Sequence, residues 1–391
     1  MSLSDADAAP EVPRHVEPPV PTAAALGYRM PAEWEPHAAT WIAWPHCKAD
    51  WPGKFGPIPW AYTEIVRILS ASEPVGILVN DGQSRRRAAE LLGRAGVALD
   101  RVTFLKCPTD RVWMRDTGPM FVVNDHPGEG PGIGLVDWKF NAWAKYDDHR
   151  KDDRVPKRLA RHLGLTRWRP TADTGGEAPA RVVLEGGAID VNGLGTVLTT
   201  EECLLSDVQA RNPGLGREGL ERLLAEYLGA RHVIWLGRGI DGDDTHGHVD
   251  DLARFVGPRT VVIATVDDPA DPNDEPLREN RARLQSARDQ EGAPLEVVSL
   301  PMPRPIRFEG QRLPASYANF FIANRVVLVP TFNDPADRKA LAILADLFPG
   351  REVVGVHAVD LVWGLGTLHC LTREQPLGPL PLGATSGTLL A

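Results

Sequence analysis

Residues 241–251 read DGDDTHGHVDD, five aspartates and two histidines in eleven positions. Such a stretch admits three chemistries: a metal site, a solvated acidic loop, or acid–base groups that work without a metal. His248 and Asp250 stand two apart. On a strand such residues share one face, so an imidazole and a carboxylate would open on the same pocket. A metal site would use His246, His248 and Asp250 together, but the remaining histidines form no HxH or HxxxH partner motif to complete it. Asp241, Asp243 and Asp244 read as the solvated part of the loop.

Other chemistry-bearing residues are scattered along the chain. Cys370 lies in WGLGTLHCLTREQP. A lone cysteine in an apolar stretch is ordinarily a small core residue, but the glycines before it, Gly366 among them, let a ligand or another backbone approach closely. If LHCLT is a strand, His369 points away from Cys370. Asp116 in WMRDTGP can be half of a surface pair with Arg115, a turn former, or a ligand for a cation. Trp113, three residues earlier, is core or a flat wall for a planar cation. Glu185 in VVLEGGAID follows an apolar run, where burial is costly without a cation or donors to satisfy it. Four tryptophans in residues 30–51 read as a packing segment.

A cysteine, a histidine and several carboxylates are a poor set for attack on an ordinary amide, because the acids raise the thiol pKa and suppress the thiolate. A planar cationic substrate removes that conflict. A guanidinium offers paired N–H donors that match carboxylates, and its charge favours a thiolate beside it. The expected roles are Asp116 and Asp250 gripping the guanidinium, Cys370 attacking its central carbon, and His248 serving as acid and then base. Glu185 would orient His248 or complete the cation cage. This chemistry requires no metal and no organic cofactor.

These residues must be carried to one place, and the chain contains a repeat that could do it. Apolar runs rich in Val and Ile alternate with helical patterns over 75–106, 195–237, 259–303 and 325–358, with a looser copy over 118–164. The plain reading is an α/β protein with a parallel sheet. The sharper one is a pseudo-symmetric ring of about five units, in which the segments that begin each unit converge on the axis. Those segments supply Asp116, Glu185, His248 with Asp250, Asn319 and Cys370.

The chain has 391 residues, 43% hydrophobic and 24% charged, enough for a large core. A formal net charge of −9 argues against nonspecific nucleic-acid binding and suits a small cationic partner. No apolar run is long enough for a membrane span. The N-terminus lacks a basic start and an apolar signal core, which reads as cytoplasmic. Residues 1–25 read as a disordered or strap-like lead and 26–391 as one catalytic domain. Four cysteines without a CxxC pair give neither a disulfide framework nor a cysteine-rich zinc site.

The motifs MPAEWEPH, TWIAWP, WMRDTGP, EGGAID, GHVDD and LHCLTREQP, taken in order, resemble the agmatine deiminases and the related bacterial-type peptidylarginine deiminases of the guanidino-group-modifying, or pentein, superfamily. The resemblance runs from about residue 29 to residue 376. It implies a five-bladed pseudo-symmetric α/β propeller of ββαβ-like units with its site on the axis. It also implies a Cys370 nucleophile, His248 as acid and base, Asp116 and Asp250 as guanidinium ligands, and Glu185 beside His248, with Trp113 and Gly366 lining the substrate. The implied reaction converts agmatine to N-carbamoylputrescine and ammonia, in putrescine and polyamine synthesis, and is compatible with a homodimer. Peptidyl or free arginine is the alternative substrate, and a non-catalytic guanidine-binding protein the alternative role. Two positions depart from the family pattern: Leu365 stands where a glycine is expected, and His246 where an acid or amide is usual.

Overall fold

A computed structural model describes residues 21–126, 131–173, 175 and 178–378. Most of the expected N-terminal lead, residues 1–20, lies outside them. From Pro21 the chain is packed: Ala23 is fully buried, and the Pro21 carbonyl accepts the Trp168 indole N–H at 3.1 Å.

The architecture is mixed α/β, built on five small sheets of one recurring pattern. A short strand pairs antiparallel with a second strand, and the second pairs parallel with a third after a helix. Met120–Val123, Ile133–Val136 and Thr166–Trp168 form one such sheet, with the helix Val155–Leu163 between the last two. Asp190–Val191, Thr196–Thr200 and His232–Leu236 form the next, with Arg217–Leu228 as the crossover helix. Ala253–Phe255, Thr260–Thr265 and Glu296–Pro301 follow, with Asp274–Ser286. Phe321–Ile322, Val326–Thr331 and Glu352–His357 follow in turn, with Ala336–Leu347. Parallel strands need a crossover, and the amphipathic helices supply both the connection and a cover for the sheet.

The remaining sheet differs from the sequence reading. The stretch 75–106, taken there as a whole unit, contributes one parallel pair to a four-stranded sheet, the inner strand Val75–Val79 and the edge strand Val102–Lys106. The other inner strand is His37–Ala43, parallel to Val75–Val79. Its antiparallel partner is Arg373–Pro376, from the far end of the described chain, with Trp41 opposite Arg373. A partner more than 300 residues away leaves no local trace, so periodicity could not reveal it.

Local chemistry fixes the helix ends. Asp81 caps Gly82–Arg94 by accepting from the backbone of Gln83 and Ser84, while the Ser84 hydroxyl accepts from the Asp81 N–H. Val155–Leu163 starts with Pro156 in its first turn and stops at Gly164, which is left-handed at φ 67°. Between the sheets and their helices lie three apolar clusters. The largest joins Ile42 and Ile77 to Val327 and Leu328, the second centres on Val136, Leu184 and Leu224, and the third on Leu198, Phe255 and Leu284.

Candidate active site

Just ahead of the antiparallel strand of each sheet sits a short turn. Four are single helical turns: Met114–Thr117, Gly186–Ala188, Val249–Asp251 and Leu368–Leu371. The fifth, over residues 316–319, is an irregular turn. These turns carry Asp116, Glu185 at the entry to its turn, His248 and Asp250, Asn319 and Cys370. The expected strand geometry for His248 with Asp250, and for Cys370, is therefore replaced by helical turns. The difference matters for His369. On a strand it would face away from the cysteine's side; on a turn it joins the same buried cluster.

The cluster is closed from solvent, with His248 1% exposed, Asp250 0% and Cys370 8%. His248 Nδ1 lies 4.0 Å from Asp116 Oδ1 and 3.9 Å from Asp250 Oδ1. Burial draws the His248 pKa down, but Asp116, Cys203 and Asp250 outweigh it and hold the ring well above its ordinary value. Asp116 Oδ1 accepts the Gly187 N–H at 3.0 Å and Oδ2 accepts the Trp143 indole N–H at 3.0 Å. Burial raises the Asp116 carboxyl; the charge of His248 opposes this, while Asp250 and Glu185 add to it. The Asp250 carboxyl moves the other way. Burial would raise it, yet the His369 hydrogen bond and nearby positive charges bring it below the usual carboxylate range.

The Cys370 sulfur lies 3.8 Å from Asp250 Oδ2 and 3.1 Å from the Asn319 side-chain nitrogen. Burial, followed by the negative charges of Asp250, Asp251 and Asp116, pushes the Cys370 thiol well above its ordinary value. Trp113 packs nearby with its ring 5.5 Å from that of Trp51. Gly366 fits because a β-carbon there would come within 2.7 Å of the Trp113 ring and 3.1 Å of Cys370 Cβ. Leu365, the departure from the family's glycine pattern, has φ 67°, the left-handed conformation that makes glycine the ordinary choice.

Glu185 reaches His248 as the sequence suggested: Glu185, Cys203 and His248 each bring one polar atom within 4.8 Å of the others. Its main partner, however, is Arg211, at 3.0 Å with both side chains fully buried. A second cluster of the same kind comprises Asp250, Asp251 and Cys370. Either could be read as metal donors, but one oxygen of each carboxylate is already engaged, Glu185 by Arg211, Asp250 by His369 and Asp251 by Asn319, while Glu185 Oε2 and Asp250 Oδ1 have no hydrogen-bond partner among the described residues. The trio His246, His248 and Asp250 is not assembled, because His246 is left-handed and its Nε2 lies 3.2 Å from the Ser206 hydroxyl. Nor is the front half of DGDDTHGHVDD a merely solvated loop. Asp243 accepts from the backbone N–H groups of Gly247 and His248, bracing the turn that presents the imidazole.

Several members were not singled out from the sequence. Glu33, within the tryptophan-rich segment, is a buried hub. It accepts from the Ile322 N–H and pairs with Arg115, Arg254 and His369, whose charges outweigh the cost of burial and hold its carboxyl well below the usual range. The only available sign was an acid among aromatics. Trp143 reaches Asp116 from a turn in which Ala142, Trp143 and Ala144 are all left-handed. Non-glycine residues in that conformation are strained, a condition that concentrates at functional sites.

The sequence pattern of the Porphyromonas-type peptidyl-arginine deiminase family matches residues 29–376. An agmatine deiminase of Ectopseudomonas mendocina is 38% identical, covering 91% of this chain and 97% of its own length. One from Pseudomonas aeruginosa is 36% identical over 92% and 98% of the two chains. The solved agmatine deiminase of Enterococcus faecalis superposes with a TM-score of 0.82 at 34% identity, covering 92% of this chain and 98% of that one. The family pattern spans all five turns, and on these matches the chain belongs to the Porphyromonas-type peptidyl-arginine deiminase family.

Proposed function

We propose that the protein is an agmatine deiminase working through a covalent cysteine intermediate. One observation carries the reading. Asp250 Oδ1 is buried with no hydrogen-bond partner among the described residues, while Asp116 and Cys370 stand close by. A buried carboxylate oxygen left unpaired is costly, and a guanidinium N–H donor would satisfy it. The similarity to agmatine deiminases over most of the chain supports the substrate.

In this reading Asp116 and Asp250 bind the guanidinium nitrogens, and the substrate's charge offsets the carboxylates that suppress the thiolate. Cys370 attacks the central carbon and forms a C–S bond. His248, held in its charged form by its neighbours, gives a proton to the departing nitrogen as the C–N bond breaks and ammonia leaves. Water then adds to the amidino-thioether carbon, with His248 taking a proton. The C–S bond breaks, and a ureido product and free Cys370 result. The sum is guanidinium plus water giving a ureido group plus ammonium. Five sheets of one pattern, with the last described strand paired to the first, support a five-bladed propeller with these turns at its axis.

The test is to incubate the protein with agmatine, arginine and an N-blocked arginine, with and without EDTA, and to measure ammonia and ureido product. Agmatine turnover that survives EDTA and is lost in Cys370→Ala is expected. Preference for the N-blocked arginine would redirect the substrate assignment. No turnover of any guanidine would leave a binding role.

A further inference from the structure

Asn319 is the neutral member of the cluster, and its amide orientation is fixed. Its side-chain oxygen accepts from the Thr367 hydroxyl at 2.7 Å and from the backbone N–H groups of His369 at 3.1 Å and Cys370 at 3.4 Å. Backbone N–H groups are donors only, so the oxygen must face them and the NH₂ must face the other way. There it meets two acceptors, Asp251 Oδ1 at 3.0 Å and the Cys370 sulfur at 3.1 Å. A flip would oppose N–H to N–H, in a side chain only 1% exposed.

We propose that Asn319 is a catalytic residue whose fixed amide N–H stabilises the thiolate of Cys370, with Asp251 anchoring the other N–H. The proposal deepens the deiminase reading and rests on it for the role of Cys370. The other charged groups of the site set the need. Asp250 and Asp116 set carboxylates against the sulfur, Asp251 adds a third acid whose carboxyl burial, Asp250 and Asp243 hold well above its ordinary value, and His248 with its positive charge is drawn to Asp116 and Asp250. A hydrogen bond to an ionised acceptor is stronger than one to the neutral form, so a donor committed to the sulfur favours ionisation. The other four turns carry acids or the nucleophile. A carboxylate in the fifth, against the sulfur, would oppose the thiolate, whereas an amide of the same shape supports it.

The experiment is the rate of Cys370 alkylation by iodoacetamide against pH, followed by mass spectrometry of the Cys370 peptide in the substrate-free protein. In Asn319→Ala the rate at pH 8 should fall about tenfold, with the limiting rate at high pH preserved, the size expected from losing one hydrogen bond to a charged group. Asn319→Asp keeps the shape and should fall at least as far, and it decides the matter if the alanine variant does not fold. A rate unchanged at pH 8, or reduced equally at every pH, would overturn the proposal even if turnover fell. Because no substrate is present, failure of the agmatine reading leaves this measurement intact.

Discussion

His369 Nδ1 lies 2.6 Å from Asp250 Oδ2, and the opposite ring nitrogen lies 2.8 Å from Glu33 Oε2. Two carboxylates on the two nitrogens of one ring are both satisfied when the ring is imidazolium, which donates from each. The residue beside the nucleophile therefore ties a proposed substrate ligand, Asp250, to a buried acid of the N-terminal segment. His369→Gln leaves only one reach of the bridge. The loss of one charged hydrogen bond, about 1.5–3 kcal/mol, should lower kcat/KM for agmatine by roughly ten- to a hundredfold. Glu33→Gln should lower it in the same direction. Wild-type kinetics in folded His369→Gln would show that Asp250 is held without it.

Gly187 leaves room for the site. A β-carbon there would stand 2.5 Å from His248 Nδ1 and 3.0 Å from both Asp116 Oδ1 and Asp250 Oδ2. They belong to the three residues proposed to bind and protonate the guanidinium, so an added methyl group would displace those side chains. Gly187→Ala should reduce turnover at least a hundredfold, with the circular dichroism spectrum retained. Activity within a few-fold of wild type would place the substrate elsewhere.

Arg211 and Glu185 form a fully buried pair. Removing one partner strands the other charge, a loss of about 3–5 kcal/mol in comparable pairs. Arg211→Met should destabilise the protein by that amount in urea unfolding, and the double change Arg211→Met with Glu185→Gln should recover part of it. A double variant no more stable than Arg211→Met alone would mean that packing, not the stranded charge, sets the cost.

His248 links stability to pH. Although burial lowers its pKa, Asp116, Cys203 and Asp250 raise it further, so the folded ring keeps its proton at a pH where the unfolded ring, near 6.5, has lost it. Its contribution is fully present below about pH 6.5 and is lost as pH rises through the folded value. The difference in unfolding free energy between wild type and His248→Gln should therefore shrink from pH 6 to pH 9. A difference that is constant over that range would exclude a raised His248 pKa.

Much of the site was legible in residue types. Asp116, Glu185, His248, Asp250 and Cys370 could be picked out because acids, an imidazole and a thiol opened successive copies of one pattern, and the structure brings all five together. What the pattern could not give was the local geometry. A polar residue before a strand has the same spacing whether it stands on the strand or on a helical turn. His369 was accordingly assigned to the wrong side, and Asp243 was taken for solvated loop although it braces His248.

The sequence by itself determined which elements alternate and which chemistry-bearing residues open them, because periodicity and side-chain type are local properties. Only the tertiary structure decided the partners: Arg373–Pro376 beside His37–Ala43, Glu33 beneath His369, Arg211 on Glu185, Asn319 against the Cys370 sulfur. Each joins residues far apart in the chain. What selects such a pair is the cost of leaving a buried donor, acceptor or charge unmatched, and that cost arises only once the fold has excluded water.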